Sequence, residues 1–224
     1  STYFTTGTGW SSFSGGTGDT ISAAGNLVQD AGVANNIRVG GTLQFLSGTG
    51  STTITAGTAT VWGSTGLVAN FTGTSGTSLF VGDQSASGDR STMAGELFDA
   101  SSSKTSLIAW VGNNQTVVGG SASDTLTGTT GNSTLTGGSG AANAFQFIDG
   151  YAGGDYTITD FGSAAGNLVG LNKYNMTDAD VSKMLSNATI SGGNTTIQLS
   201  DNSKITFLNT TDLKASDFSL WGQS

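Results

Sequence analysis

The stretch TVVGGSASDTLTGTTGNSTLTGGSGAANAFQF, Thr116 to Phe147, decides how this chain is read. Val117, Leu126 and Leu135 stand nine residues apart, Ile108 sits nine before Val117, and Phe145 follows one residue late. Between them recur Gly, Ser, Thr and Asn, the residues of tight turns. Such short apolar clusters are strand-sized, and a repeat this short buries no face alone. Stacked on its neighbours, it buries a continuous inner strip. The run predicts successive parallel strands ~4.8 Å apart, with Ile108, Val117, Leu126, Leu135 and Phe145 pointing inward.

A less regular version of the rhythm precedes this run, with Phe45, Ile54, Trp62 and Phe71 recurring at eight or nine residues. From Gly82 to Ser106 the rhythm breaks. This segment reads as a loop or inserted excursion, with a short helix around TMAGELF, 92–98. Beyond Tyr156 the pattern changes again. Thr177 followed three residues later by Asp180 is a capping-box signal and predicts a helix over 178–186. TTIQLSDNSKITFLN alternates cleanly around Asp201-Asn202 and predicts a hairpin. The expected fold class is all-β: a parallel β-roll or β-helix solenoid over residues 1–160, with the excursion at 82–106. A C-terminal cap over 161–224 holds one short helix and a β-hairpin.

Composition narrows the function classes. A hydrophobic fraction of 35% is too high for a disordered chain. The net charge of −8, from 15 acidic and 7 basic residues, argues against nucleic acid and anionic membrane surfaces as partners. No apolar run approaches the roughly 20 residues that span a bilayer, so no membrane insertion is expected. Cysteine is absent, which excludes disulfides. The opening STYFTTGTGW is strand-like and shows no charged-then-apolar leader, which fits export by a C-terminal address.

Histidine is absent as well, which removes Ser–His–Asp and Cys–His catalysis and His-containing zinc sites. Paired carboxylates, Asp155 with Asp160 or Asp83 with Asp89, are the remaining acid–base machinery. In loops such pairs read first as solvated or metal-linked groups, and Glu96 carries no assigned role. The chain is expected not to be an enzyme. Trp10, Trp62, Trp110 and Trp221 read as core or subunit-contact residues, or as a sugar-stacking platform; Trp221 is the best candidate for an exposed contact. Thr-x-Thr triplets at 53–55, 58–60, 125–127, 134–136 and 157–159 suit strands. At nine residues per half-turn of the chain, 125–127 and 134–136 fall on opposite faces, which weakens a water-ordering array.

These residues resemble the RTX, or hemolysin-type, β-roll family, whose nonapeptide is G-G-x-G-x-D-x-U-x with U a large apolar residue. GGSASDTLT (Gly119–Thr127) matches with Ala122 in place of a glycine and Asp124 in the acidic slot. GTTGNSTLT (Gly128–Thr136) puts Ser133 in that slot, and GGSGAANAFQF (Gly137–Phe147) puts Ala142 or Asn143 there. GGTGDTIS (Gly15–Ser22) matches with one residue missing and carries Asp19; SGTGSTTIT (Ser47–Thr55) has Thr52. The tail, from DYTITDFGSAAGNLVGL through DLKASDFSLW, resembles the C-terminal region of type I-secreted members. The resemblance implies an extracellular or cell-surface location and calcium ligated by the slot aspartates of neighbouring turns. Replacing Asp by Ser, Thr or Asn removes both ligand and repulsion, while a hydroxyl or amide hydrogen-bonds the turn instead. A largely calcium-independent fold is expected, with calcium sites, if retained, at Asp19 and Asp124.

Three function classes follow. The first is a secreted structural protein that self-assembles as a homo-oligomer or polymer into a surface layer, filament or biofilm matrix. The second is a binding module, either a glycan-binding adhesin in contact with polysaccharide or an ice-binding solenoid. The third is the noncatalytic tail of a larger secreted enzyme. The first fits the residues best, because stacked strands with no catalytic constellation and an open strand edge favour association.

Overall fold

The computed structural model describes residues 2–90 and 94–223. The chain is all-β, with a single α-helix, Asp178–Ser186, among the described residues. Its strands follow the turn punctuation of the sequence and pair mainly with the strand two places on. Gln115–Val118 pairs in parallel with Ser133–Thr136, which pairs with Asp155–Ile158. The intervening strand Thr125–Gly128 pairs instead with Leu107–Val111 on one side and Ala144–Ile148 on the other. Successive strands thus alternate between two ladders. Near the C-terminus Thr189–Ser191, Asn194–Gln198 and Lys204–Phe207 pair antiparallel, so the sheet is mixed, and it does not close.

Alternation inside each strand supplies the core. Ile21, Ile37, Ile54 and Phe71 follow one another down one ladder, and Val61, Phe80, Ala109, Leu126, Phe145 and Val169 down the other, all buried in a single cluster. Val117, Leu126, Leu135 and Phe145 are each fully buried, as the nine-residue spacing requires. Val117 and Leu135 are paired partners, with Leu126 between them on the other ladder. The triplets 125–127 and 134–136 accordingly lie on different ladders, whereas 134–136 and 157–159 are neighbours, with Thr136 and Thr159 hydroxyls 2.6 Å apart. Turns stack as closely as the strands: a Cβ on Gly138 (φ +89°) would sit 2.1 Å from the Gly120 carbonyl oxygen, so only glycine fits.

Two inward assignments are corrected. Ile108 is 41% exposed, because the buried positions of its strand are Leu107, Ala109 and Val111. Trp62 faces outward and is half-buried, while Val61 takes the core position. Parity along the strand, not residue size, decides which side chain enters the core. Of the readings of the tryptophans, the core one does not hold: Trp10 is 57% exposed and Trp110 only half-buried, while Trp221, expected as an exposed contact, is 39% exposed.

The excursion is shorter than expected. Leu97–Asp99 is a strand that pairs with Val68–Asn70 and Thr116–Val118 and so rejoins the ladder before Ser106. The helix expected at 92–98 is not formed over Leu97–Phe98, which lie in that strand; Thr92 and Met93 fall outside the described residues.

Strand pairing runs on past residue 160, through Leu168–Asn172 to Phe218–Trp221. The helix is closed by the expected capping box. Thr177 Oγ1 accepts from the Asp180 backbone N–H, and the Asp180 carboxylate accepts from the Thr177 backbone N–H. Val181 seats the helix against the core. The expected hairpin pairs Thr195–Gln198 with Lys204–Phe207, and Asn202 adopts φ +68° at its tip. Among the described residues no helix is long and apolar enough to cross a membrane.

Candidate functional site

Three features carry chemistry: the slot residues inside the turns, an aromatic groove on one outer face, and a threonine-lined trough on the other ladder.

The slot residues reach backwards. The Leu107 backbone N–H donates to Asp124 Oδ1 (2.7 Å) and that of Gly120 to Asp124 Oδ2 (2.7 Å). The Asp124 N–H donates to Asn143 Oδ1 (2.8 Å), and the Asn143 N–H to Asn167 Oδ1 (2.8 Å). Asp124 Oδ1, Asn143 Oδ1 and Asn167 Oδ1 each satisfy an N–H of the preceding turn, making a ladder of Asx acceptors through the interior, while Asp124 Oδ2 closes its own turn. Asp19 repeats the pattern: its Oδ1 accepts from the Thr2 N–H, and its own N–H donates to Asn35 Oδ1 (2.9 Å). The two candidate calcium ligands therefore occupy equivalent positions far apart in the chain. Among the described residues no three His, Cys, Asp or Glu side chains gather as a metal-holding group. Both Asp124 oxygens accept from backbone donors and the residue is 2% exposed, so its carboxylate is already engaged by the backbone, whereas calcium takes six to eight oxygens. The neighbouring slots offer Asn143 and Ser133 rather than a second carboxylate; Ser133 Oγ is buried and makes no hydrogen bond.

Burial pushes the Asp124 carboxyl above the usual carboxylate range, against the opposing pull of its backbone donors Leu107 and Gly120. Burial also raises Glu96, opposed chiefly by the Gln115 side chain, whose Nε2 donates to Glu96 Oε2. Asp83 is raised in the same way, with Arg90 pulling it down. The pH consequence has a definite sign. An acid whose native pKa exceeds its unfolded value keeps its proton longer when folded. Stability is then greatest below the ordinary carboxylate range and declines as pH rises through the raised native values. The thermal midpoint followed by circular dichroism should therefore fall as pH rises above the ordinary carboxylate range. Glu96→Gln, which removes one buried charge, should flatten that slope and raise the neutral midpoint. A midpoint that climbs with pH in both proteins would contradict the assignment.

The aromatic groove lies on the outer face of the other ladder. Trp62 pairs with Val81, and Val81 with Trp110, so the two indoles flank a smaller side chain two strand spacings apart, ~9.6 Å. Tyr151, presented by the turn after Ala144–Ile148 and 43% exposed, meets Trp110 edge-on, ring centroids 6.5 Å apart at 62°. The Arg90 guanidinium stands over the Tyr151 ring, 5.8 Å from its centroid, and pairs with the buried Asp83 carboxylate at 3.4 Å. Leu79 and Gln84 complete the walls of a groove of about 350 Å³. Sequence reasoning singled out both tryptophans but missed Tyr151 and Arg90, which reach the groove from separate turns. An aromatic between Gly150 and Gly153 was the available signal.

On the first ladder Thr116, Thr134, Thr157, Thr206 and Thr196 form one outward column, bordered by Asn114, Asn132 and Asp155. Of the four carboxylates read as acid–base pairs, Asp160 and Asp83 have other partners. Asp160 accepts from the Gly137 and Gly138 N–H groups (2.8 Å each), and Asp83 is held by Arg90, while the Asp89 backbone closes a turn with Ser85. No family model and no curated protein matches the chain.

Proposed function

We propose that the chain winds as a parallel β-roll of the RTX kind and serves outside the cell as a non-enzymatic building block that joins further copies of itself. What carries this reading is the state of the two ends of one ladder. Trp10–Ser14 pairs only with Asn26–Asp30, and Phe218–Trp221 only with Leu168–Asn172, so each is an edge strand in the described chain. Each edge presents an exposed indole, Trp10 or Trp221. The other ladder is free at Tyr3–Thr6, which pairs with its own Thr20–Ala23, but is covered at the far end by the antiparallel hairpin. An unpaired edge offers backbone donors and acceptors to another strand. Placing Trp10–Ser14 of one copy beside Phe218–Trp221 of the next is a head-to-tail contact, which propagates instead of closing as a dimer. The absence of His and Cys and the structural employment of Asp160 and Asp83 support a role without catalysis. The type I-like tail supports an extracellular setting.

The test is static light scattering and electron microscopy of the purified chain over a wide concentration range, with and without calcium. The expected result is growth with concentration into elongated particles, lost in a Trp10→Lys, Trp221→Lys double variant whose circular dichroism is unchanged. Monomer at every concentration would refute the proposal.

A further inference from the structure

We propose that the groove formed by Trp62, Val81, Trp110 and Tyr151, with Asp83, Gln84 and Arg90 at its polar edge, binds pyranose units of a neutral polysaccharide. The inference stands apart from self-assembly, because the groove lies on an outer face and neither Trp10 nor Trp221 lines it.

A sugar ring has an apolar C–H face and an equatorial belt of hydroxyls. It is held where an aromatic plane meets hydrogen-bonding groups in fixed positions. Both halves are present here. Two indoles and a phenol are held outward by strand parity and by a turn, in a protein whose core excludes every tryptophan. Beside them a carboxylate, an amide and a guanidinium line the same depression. Asp83 is 7% exposed, fixed by Arg90, and Arg90 is fixed in turn over Tyr151, so the polar edge is built before any ligand arrives. Preorganisation of this kind lowers the cost of binding.

Charge selects the class of glycan. The Asp83–Arg90 pair leaves the groove without local excess charge, while the chain as a whole carries −8. An acidic polysaccharide is repelled at long range, and a neutral one is not. The spacing adds a length requirement. With Trp62 and Trp110 two strand spacings apart across Val81, a single sugar covers one indole only, so oligosaccharides should bind more tightly than monosaccharides.

The experiment is titration of the full chain with cellohexaose, maltohexaose, mannohexaose and glucose, followed by tryptophan fluorescence and calorimetry, with oligogalacturonate as the acidic probe. At least one neutral hexasaccharide should bind, more tightly than glucose and far more tightly than oligogalacturonate. Trp110→Ala should weaken that binding about tenfold or more. Trp110→Phe should restore part of it, and Trp10→Ala and Trp221→Ala should leave it unchanged. Circular dichroism of each variant reports folding separately. The proposal is overturned if no neutral hexasaccharide binds at millimolar concentration, if Trp110→Ala binds as well as the parent, or if the acidic oligosaccharide binds best. Because scattering reads assembly and calorimetry reads the sugar, failure of either reading leaves the other intact.

Discussion

Phe98→Ala should destabilise the chain by about 3–5 kcal/mol, the usual cost of truncating a buried aromatic ring and leaving its cavity. Phe98 is fully buried and stacks on Phe80 (centroids 4.6 Å apart, 18°) and on Phe71 (5.4 Å, 28°). Phe71 and Phe80 belong to different ladders, so the Phe98 ring joins both at the point where the chain returns from its excursion. Phe98 is the one buried residue of the three-residue Leu97–Asp99 strand. Urea unfolding monitored by circular dichroism reads the effect as a lowered midpoint. Ile108→Ala is the control. Ile108 is also a large apolar residue and its nine-residue spacing predicts an inward position, yet it is 41% exposed, so its truncation should cost within about 0.5 kcal/mol. Equal losses in the two variants would mean that Ile108, not Ala109, faces the core.

That comparison also marks what the sequence can convey about this fold. Leu126 and Leu135 were legible because each is the one large apolar residue of a short strand flanked by Thr, and Val117 because it keeps their nine-residue spacing. In Leu107–Val111 three of five residues are buried and a fourth, Ile108, is equally apolar, so composition leaves the parity undecided. Trp62 misled for the same reason, since its neighbour Val61 is smaller but lies on the inner face. The helix at 178–186 and the hairpin around Asn202 were readable because caps and turns are local: three or four adjacent residues determine them. The Leu97–Asp99 strand was hidden because its partners lie across the excursion, at Val68–Asn70 and Thr116–Val118. The groove was hidden more deeply. Trp62, Arg90, Trp110 and Tyr151 come together only after the strand register is fixed, and no spacing rule predicts a turn that lays a tyrosine beside a distant indole. The slot ladder lay between these cases. The motif pointed to Asp19, Asp124, Ser133 and Asn143, but not to the N–H groups that the Asp19, Asp124 and Asn143 side chains serve, nor to the unpaired Ser133 hydroxyl.

Asn143→Leu should destabilise the chain by about 2–4 kcal/mol. Asn143 is 3% exposed; its Oδ1 takes the Asp124 N–H (2.8 Å) and its Nδ2 donates to the Ala141 carbonyl (3.2 Å). Leucine fills similar volume but leaves a buried donor unpaired, and each such orphan costs about 1–3 kcal/mol. The ladder has no slack to repair it, because a Cβ placed on the adjacent Gly137 would already lie 2.7 Å from Asn143 Nδ2. Asn143→Asp separates hydrogen bonding from charge. It keeps the acceptor for Asp124 N–H but sets a second carboxylate one strand spacing from Asp124, so it should be destabilised at neutral pH and recover as pH falls and the pair shares a proton. If backbone N–H groups do in this chain what metal does where slots are filled by aspartate, calcium and chelator should leave the parent's midpoint unchanged, since a ligand with no site cannot shift the folding equilibrium. A midpoint that rises with calcium in the parent, or an Asn143→Leu variant as stable as the parent, would show that the stack is held together by something other than this ladder of side-chain oxygens.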